Sequence, residues 1–411
     1  MKNLHYLLCL TLVSCGGGSK YVDLAPPAAL ELRENFGGIA IADFDADGLN
    51  DIAIGTSLTE DRRLLDTRIS IYRQRLVAPG TYLPARHFDS NPNGSIARVV
   101  VADDVQRDGL PDIITTNWNE GGFRLLANDL AQPGTLEPSV YYPMGLAHTT
   151  FGRGQAIGDI DADGFADVVL VTGDTVQWMP QNGGDLGTFS APRPIGEGRD
   201  DVQLGDLNGD GLLDVIVLGV DGDLSKSILV YYNNIYAPGQ FIAPRRLAAG
   251  YIAEYIGVAD YDGNGEMDIA VAITQGDADY DFHGAIIVFR QLVPDSFYQS
   301  PVVRTGGTGI TEIFETAVLD DDNYPEIVFQ IGAEICIMES SPSGTPTIQL
   351  ELAVPDNPDN YSSGSGRLSI GDLNNDTLHD IALIHKGLWV FYRQAGATLA
   401  FDAAVKLNAP P

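Results

Sequence analysis

Cysteine is almost missing from this chain: three occur in 411 residues, at Cys9, Cys15 and Cys336. With only one beyond the first fifteen positions, a disulfide framework and a thiolate metal cluster are both excluded. Cys336 lies in the alternating apolar run "AEICIMES" and reads as a small buried core residue. Histidine is nearly as sparse. His87, His148, His283, His379 and His385 share no spacing, which excludes a repeated imidazole metal site and offers no ordered base. No G-x-S-x-G turn presents a serine nucleophile. Basic residues number 24 against 56 acidic ones, a formal charge of −32, so nucleic acid and anionic membrane surfaces are poor electrostatic partners. Long hydrophobic runs are also absent after the first residues, where none approaches the roughly 20 apolar positions of a spanning helix.

What the chain does have is acid in a rhythm. "DFDADGLND" at 43–51 recurs as "DIDADGFAD" at 159–167, "DLNGDGLLD" at 206–214, "DYDGNGEMD" at 260–268 and "DLNNDTLHD" at 372–380. Weaker copies start at 104 and 318. The seven starts are spaced on average close to 55 residues apart and tile the chain, the signature of a repeat architecture.

The segments around each loop are β in character. An alternating run precedes the acidic residues ("GGIAIAD", "ARVVVAD", "RLSIGD"), and a continuous apolar run follows ("DIAIG", "DVVLV", "DVIVL"), as in strands buried on both faces. A third run comes after a variable loop ("TRISIYRQ", "KSILVYYN", "GLWVFYRQ"). A fourth is richer in proline ("FSAPRPIG", "FIAPRRLAA", "SPVVRTG"), which suits an edge. Four strands in each of seven units predict an all-β fold: a seven-bladed β-propeller of four-stranded antiparallel blades, with the acidic loops between strands. For ring closure, "AALELREN" near the start and "FDAAVKLN" at the end both read as outer strands, and the sequence leaves the choice open.

Positions 1, 3 and 5 of the nine-residue loops carry oxygen side chains, except for Val318 at position 1 of the sixth, position 6 is usually glycine, and position 9 is acidic. Alternate spacing in a tight turn directs these oxygens inward, and the glycine permits positive φ. Two like charges 4 Å apart repel by about 1 kcal/mol in water and about 4 kcal/mol near a protein surface, so such crowding calls for a cation. Hard oxygen donors at this density suit Ca²⁺. The ligand set is Asp43, Asp45, Asp47 and Asp51; Asp159, Asp161, Asp163 and Asp167; Asp206, Asn208, Asp210 and Asp214; Asp260, Asp262, Asn264 and Asp268; and Asp372, Asn374, Asp376 and Asp380. The weaker loops retain Asp104, Asp108 and Asp112, and Asp320, Asp322 and Glu326, so about five to seven calcium sites are expected. Position 12 is apolar or threonine throughout, where a helical EF-hand requires glutamate.

The repeated D-x-D-x-D-G-x-x-D between strands resembles the FG-GAP or VCBS repeats of integrin α-chain-like β-propellers over residues 30–408, and Phe36-Gly37 and Phe151-Gly152 match the Phe-Gly signature. That resemblance implies structural calcium sites on one face of a disc and ligands usually on the other. Residues 1–14, with Lys2 before the apolar run Leu4 to Val13, read as a signal peptide, and Leu12-Val13-Ser14-Cys15 resembles a bacterial lipobox. The resemblance implies a lipidated Cys15, a flexible tether over 15–25, and a propeller over 26–411. Gly16, where an aspartate would retain a lipoprotein at an inner membrane, points to the outer membrane or cell surface.

Two functions are compatible with such a chain. One is a tethered binding or adhesion module for a protein or glycan ligand, with contacts from the variable loops 277–283 and 356–367. The other is a carbohydrate-active enzyme of lyase or hydrolase type. Since no nucleophile or base cluster converges in the sequence, binding is the expectation, and the membrane is a partner only through the lipid.

Overall fold

The structure, a computed structural model, describes residues 33–407 apart from 61–62, 92–96, 118–119, 146–153, 220–226, 250–251, 276–283, 305–309, 321, 323, 332–333, 341–346, 354–366, 386 and 397–398. Cys15, Phe151-Gly152, the loop 277–283 and nearly all of 356–367 therefore lie outside the described residues. The strands form seven antiparallel sheets, the seven blades of a propeller.

Each blade is one contiguous stretch of chain. The innermost strands are Arg33–Ala42, Ala97–Asp103, Gln155–Gly158, Arg199–Gly205, Ile252–Ala259, Ile310–Ala317 and Arg367–Gly371. Every one runs into an acidic loop and returns as a second strand that begins at position 9 of that loop: Asp51–Glu60, Asp112–Asn117, Asp167–Thr172, Asp214–Leu218, Asp268–Gln275, Glu326–Ile331 and Asp380–Ile384. Third strands follow, from Arg63–Tyr72 in the first blade to Leu388–Phe391 in the seventh, and the fourth strands form the exposed rim.

The continuous apolar run of the second strands has a geometric cause. Successive side chains point to opposite faces of a blade, and each face packs on a different neighbour. Ile52 and Ile54 enter the core shared with the seventh blade, whereas Ala53 enters the core shared with the second. Seven such inter-blade cores occur, one per junction. Cys336 sits in the one between the fifth and sixth blades, buried as expected, with burial pushing its thiol up to about 12.

Of the two readings of the ring termini, one changes and one holds. Arg33, Glu34 and Asn35 of "AALELREN" pair with Thr59, Leu58 and Ser57, so they extend the innermost strand of the first blade rather than forming an outer one. Val405–Leu407 completes the seventh blade. No strand is exchanged across the closure among the described residues. Side chains join the seam instead: Tyr82 Oη donates to Leu373 O at 3.2 Å, Tyr392 Oη to Gly80 O at 2.7 Å, and Asn50 Nδ2 to Asp372 O at 3.0 Å.

The fifth blade also departs from the four-strand pattern. Its rim is split into Ser296–Gln299 and Val303–Arg304, both paired with Ala285–Val293, because Pro301 between them has no N–H to continue the ladder. In the third blade the rim strand is Arg193–Glu197, so Phe189 of "FSAPRPIG" contributes only an isolated bridge to Gln181.

Candidate metal centre and loop face

Each acidic loop is built by its own side chains. Position 1 accepts the N–H groups of positions 5 and 6: Asp43 from Asp47 (3.1 Å) and Gly48 (2.8 Å), with the same pair repeated at Asp104, Asp159, Asp206, Asp260 and Asp372. Position 5 accepts the N–H of position 7, as Asp47 does from Leu49 at 3.0 Å. Position 6 is left-handed throughout the six loops, and Thr377 holds φ 72° where its counterparts are glycine. A second left-handed residue at position 4 (Ala46, Arg107, Ala162, Gly209, Gly263, Asn375) carries no marker in the sequence.

Position 9 is a clamp. Asp51 Oδ2 accepts the N–H of Phe44 at 3.2 Å and its Oδ1 the N–H of Gln74 at 2.7 Å, which ties the loop to the end of the third strand. Asp167, Asp214, Asp268 and Asp380 make the same two bonds, and Asp112 does so with the N–H of Gln106, at position 3, in place of position 2. All are fully buried. Burial pushes Asp51, Asp167, Asp214 and Asp268 up to about 7, and Asp112 and Asp380 to about 6. The N–H bonds oppose that rise, and the other acids of each loop add to it.

The structure brings positions 1, 3 and 9 together in the first, third and fifth loops, where Asp43, Asp45 and Asp51, Asp159, Asp161 and Asp167, and Asp260, Asp262 and Asp268 each offer oxygens within 4.8 Å of one another. An arginine takes one oxygen at position 3, with Arg73 on Asp45 at 3.0 Å, Arg193 near Asp161 at 3.8 Å and Arg290 on Asp262 at 2.5 Å. Oδ1 of Asp45 and of Asp161 is buried with no hydrogen-bond donor among the described residues. An orphaned carboxylate oxygen beside two more carboxylates fits a hard cation.

In the fourth and seventh loops the asparagine at position 3 donates to position 5 instead: Asn208 to Asp210 at 3.1 Å and Asn374 to Asp376 at 3.0 Å. The second loop has Gln106 there and gathers no such carboxylate triad. In the sixth loop Asp320 and Asp322 converge with Glu339, a residue at the end of the third strand that loop spacing does not single out. Glu326 accepts the N–H of Leu319 at 2.5 Å, its other oxygen is buried without a donor, and burial pushes it up to about 8.

A second repeated turn, missed by the sequence reading, stitches these loops together. After the third strand, "QRLVAPG", "NDLAQPG", "QNGGDLG" and "NNIYAPG" each set an amide six residues before a glycine. Asn128 Nδ2 donates to Phe44 O of the first loop at 2.9 Å and to Pro111 O of its own loop at 3.1 Å, while its Oδ1 accepts the N–H of Gly134 at 3.0 Å. Asn233 repeats this with Ile160 O, Leu213 O and Gly239, and Gln291 reaches Leu207 O. Gly134, at φ 77°, lies where an added Cβ would come within 3.0 Å of Asp45 Cβ. The turn tips on this face carry exposed apolar side chains: Leu76 and Val77, Leu130, Ile235 and Tyr236, and Leu292 and Val293, with Val77 92% and Tyr236 95% accessible.

Of the histidines described, His87 meets Ser70 Oγ through Nδ1 at 2.8 Å, the Nδ1 of the exposed His379 lies 2.8 Å from Val318 O, and His385 is buried; none joins an acidic loop cluster. At the other end of the innermost strands' role, Asp201, Glu315 and Arg367 border a cavity on the axis.

A model of the FG-GAP-like repeat matches residues 159–217 and 206–271. No curated protein matches the chain. Among solved structures, an Agrocybe aegerita lectin described as recognising non-reducing terminal N-acetylglucosamine is 17% identical, with 90% of this chain and 94% of the lectin covered at a TM-score of 0.57. BBS1N, solved in complex with ARL6DN, is 11% identical over 86% of this chain and 91% of its own at 0.53. The rhamnogalacturonan lyase YesW is 10% identical over 87% and 71% at 0.48.

Proposed function

We propose, for a seven-bladed propeller that carries FG-GAP-like repeats, the role of a calcium-stabilised binding module that meets a protein or glycan ligand outside the cytoplasm, tethered through a lipidated Cys15 at the outer membrane or cell surface. The observation that carries the binding reading is the set of exposed apolar tips on one repeated frame. Large apolar side chains exposed together mark interaction surfaces, and here the frame is constant while the tips differ between blades.

Bound calcium would supply positive charge to the loops and hold them against their own repulsion. Asp43, Asp45 and Asp51 and their counterparts in the third and fifth blades would hold it, with Asp47, Asp163 and Asn264 beside them. The buried amides then transmit the fixed loop geometry to the turns that carry the tips. The structural neighbours contribute the scaffold only. Two carboxyl groups on the axis, Asp201 and Glu315, keep a carbohydrate-active reading in view.

A glycan array read beside an assay for released sugar ends tests both readings. Retention without turnover, abolished by EGTA, supports the module. Release of oligosaccharide products supports the enzyme.

A further inference from the structure

We propose that the axial cavity is a binding site for one neutral sugar unit, held by Arg367 and Glu315 and packed on Tyr255 and Phe314. The inference rests on the glycan branch of the reading above and places its contact on the axis.

The cavity measures about 260 Å³ and is bordered by innermost strands of all seven blades. Gly38, Ile39 and Val99 to Val101 of the first and second blades border it, as do the charged Asp201, Glu315 and Arg367 of the fourth, sixth and seventh. Asp201 is already committed: Oδ2 accepts the N–H of Ile256 and Oδ1 that of Val202, both at 2.9 Å. Arg367 is not. Its Nε and Nη2 are buried and have no hydrogen-bond partner among the described residues, and neither has Gln155 Oε1. Glu315 exposes surface into the cavity although protein surrounds it, and no hydrogen bond fixes it among the described residues. Buried donors left unpaired are costly, so a ligand that pairs them is favoured.

The residues that carry these unpaired donors and acceptors border the same space. A sugar hydroxyl both donates and accepts, and satisfies each kind. An ammonium ligand would meet Arg367, and an anion would meet Asp201 and Glu315 within a protein of charge −32. A neutral polyol leaves no charge unpaired. Tyr255 and Phe314, at the edge of the core between the fifth and sixth blades, stack with ring centroids 6.5 Å apart and planes 17° apart and both border the cavity, where the C–H face of a pyranose would pack on them. The volume lies below the roughly 300–1,000 Å³ of drug-sized pockets and so suits one ring rather than a chain. Burial pushes both acids up to about 7; the Ile256 and Val202 N–H groups and Arg367 oppose the rise at Asp201, and at Glu315 the Asp201 charge adds to it while Arg367 opposes it.

The test uses the calcium-loaded chain and four probes: galactose, N-acetylglucosamine, rhamnose and galacturonate. Saturation-transfer NMR should detect at least one neutral sugar, and that sugar should shift the ring resonances of Tyr255 and Phe314. Arg367→Met and the isosteric Glu315→Gln should each weaken it by about tenfold or more, the loss carried by a charge-assisted hydrogen bond. The ring shifts need no variant, so a misfolded mutant leaves the test standing. Binding of galacturonate alone, neutral binding unchanged in both variants, or unmoved ring resonances would overturn the proposal. A positive glycan array with any of those results retains the binding module and removes the axial site. A negative array with no sugar bound removes the glycan reading as well.

Discussion

At the scale of single residues, the acid at position 9 has a role apart from any cation. Both oxygens of Asp51 take buried N–H groups, and an asparagine there would set its own NH₂ against one of them. Asp51→Asn should cost about 1–3 kcal/mol, and the cost should persist in EGTA, as urea unfolding with and without chelator will show. If the cost disappears on chelation, Asp51 acts only as a ligand. Thr377 presents the opposite case. A β-branched residue at φ 72° is strained, and Thr377→Gly should stabilise the protein by about 1 kcal/mol despite the entropy of glycine.

At the scale of the loop and its strands, the raised position 9 acids set a pH dependence. Folded carboxyls near 6 to 8 bind protons more tightly than the same groups unfolded at about 4, so the folded state takes up protons between those values. Chelated protein should therefore lose stability as pH rises from about 5 to about 8, and saturating calcium should flatten that slope. Thermal melts across the window, with and without EGTA, measure both. The stitching amides belong to the same scale. Asn128→Ala removes three hydrogen bonds, two of them to the first and second loops and one within its own turn, and should cost about 2 kcal/mol or more, beyond the effect of an exposed Asn→Ala change.

These elements also show what sequence could and could not reveal. The D-x-D-x-D-G rhythm was legible because one turn geometry recurs and forces the same residue types each time. Asn128 and its counterparts recur too, and a glycine six residues after an amide, closing "APG" or "QPG", was an available signal. Glu339 was not legible, since it reaches the sixth loop from the end of a third strand. Nor were Asp201, Glu315 and Arg367, which occur once each and meet only when the ring closes. Pro301 did signal an edge, yet its division of one rim strand into two depends on pairing with Ala285–Val293.

At the scale of the whole molecule, divalent cations should act as structural ligands. Each site filled at about 100 times its dissociation constant adds about 2.7 kcal/mol, so EGTA should lower the melting temperature by many degrees, and calcium in excess should restore it. An unchanged calorimetric melt would remove calcium from the account.

Because the first and last blades share no strand among the described residues, the junction of Ile39, Ile52 and Ile54 with Leu373, Ala382 and Ile384 is held by side chains in the same way as the other six. Among the described residues the wheel thus has no covalent or backbone latch, and six of its seven joints are backed by peptide while one is not. Under a pulling force this joint is the place of first rupture. Joining the natural ends and cutting the chain between two other blades would move the point of failure to the new break, leaving the circle itself intact.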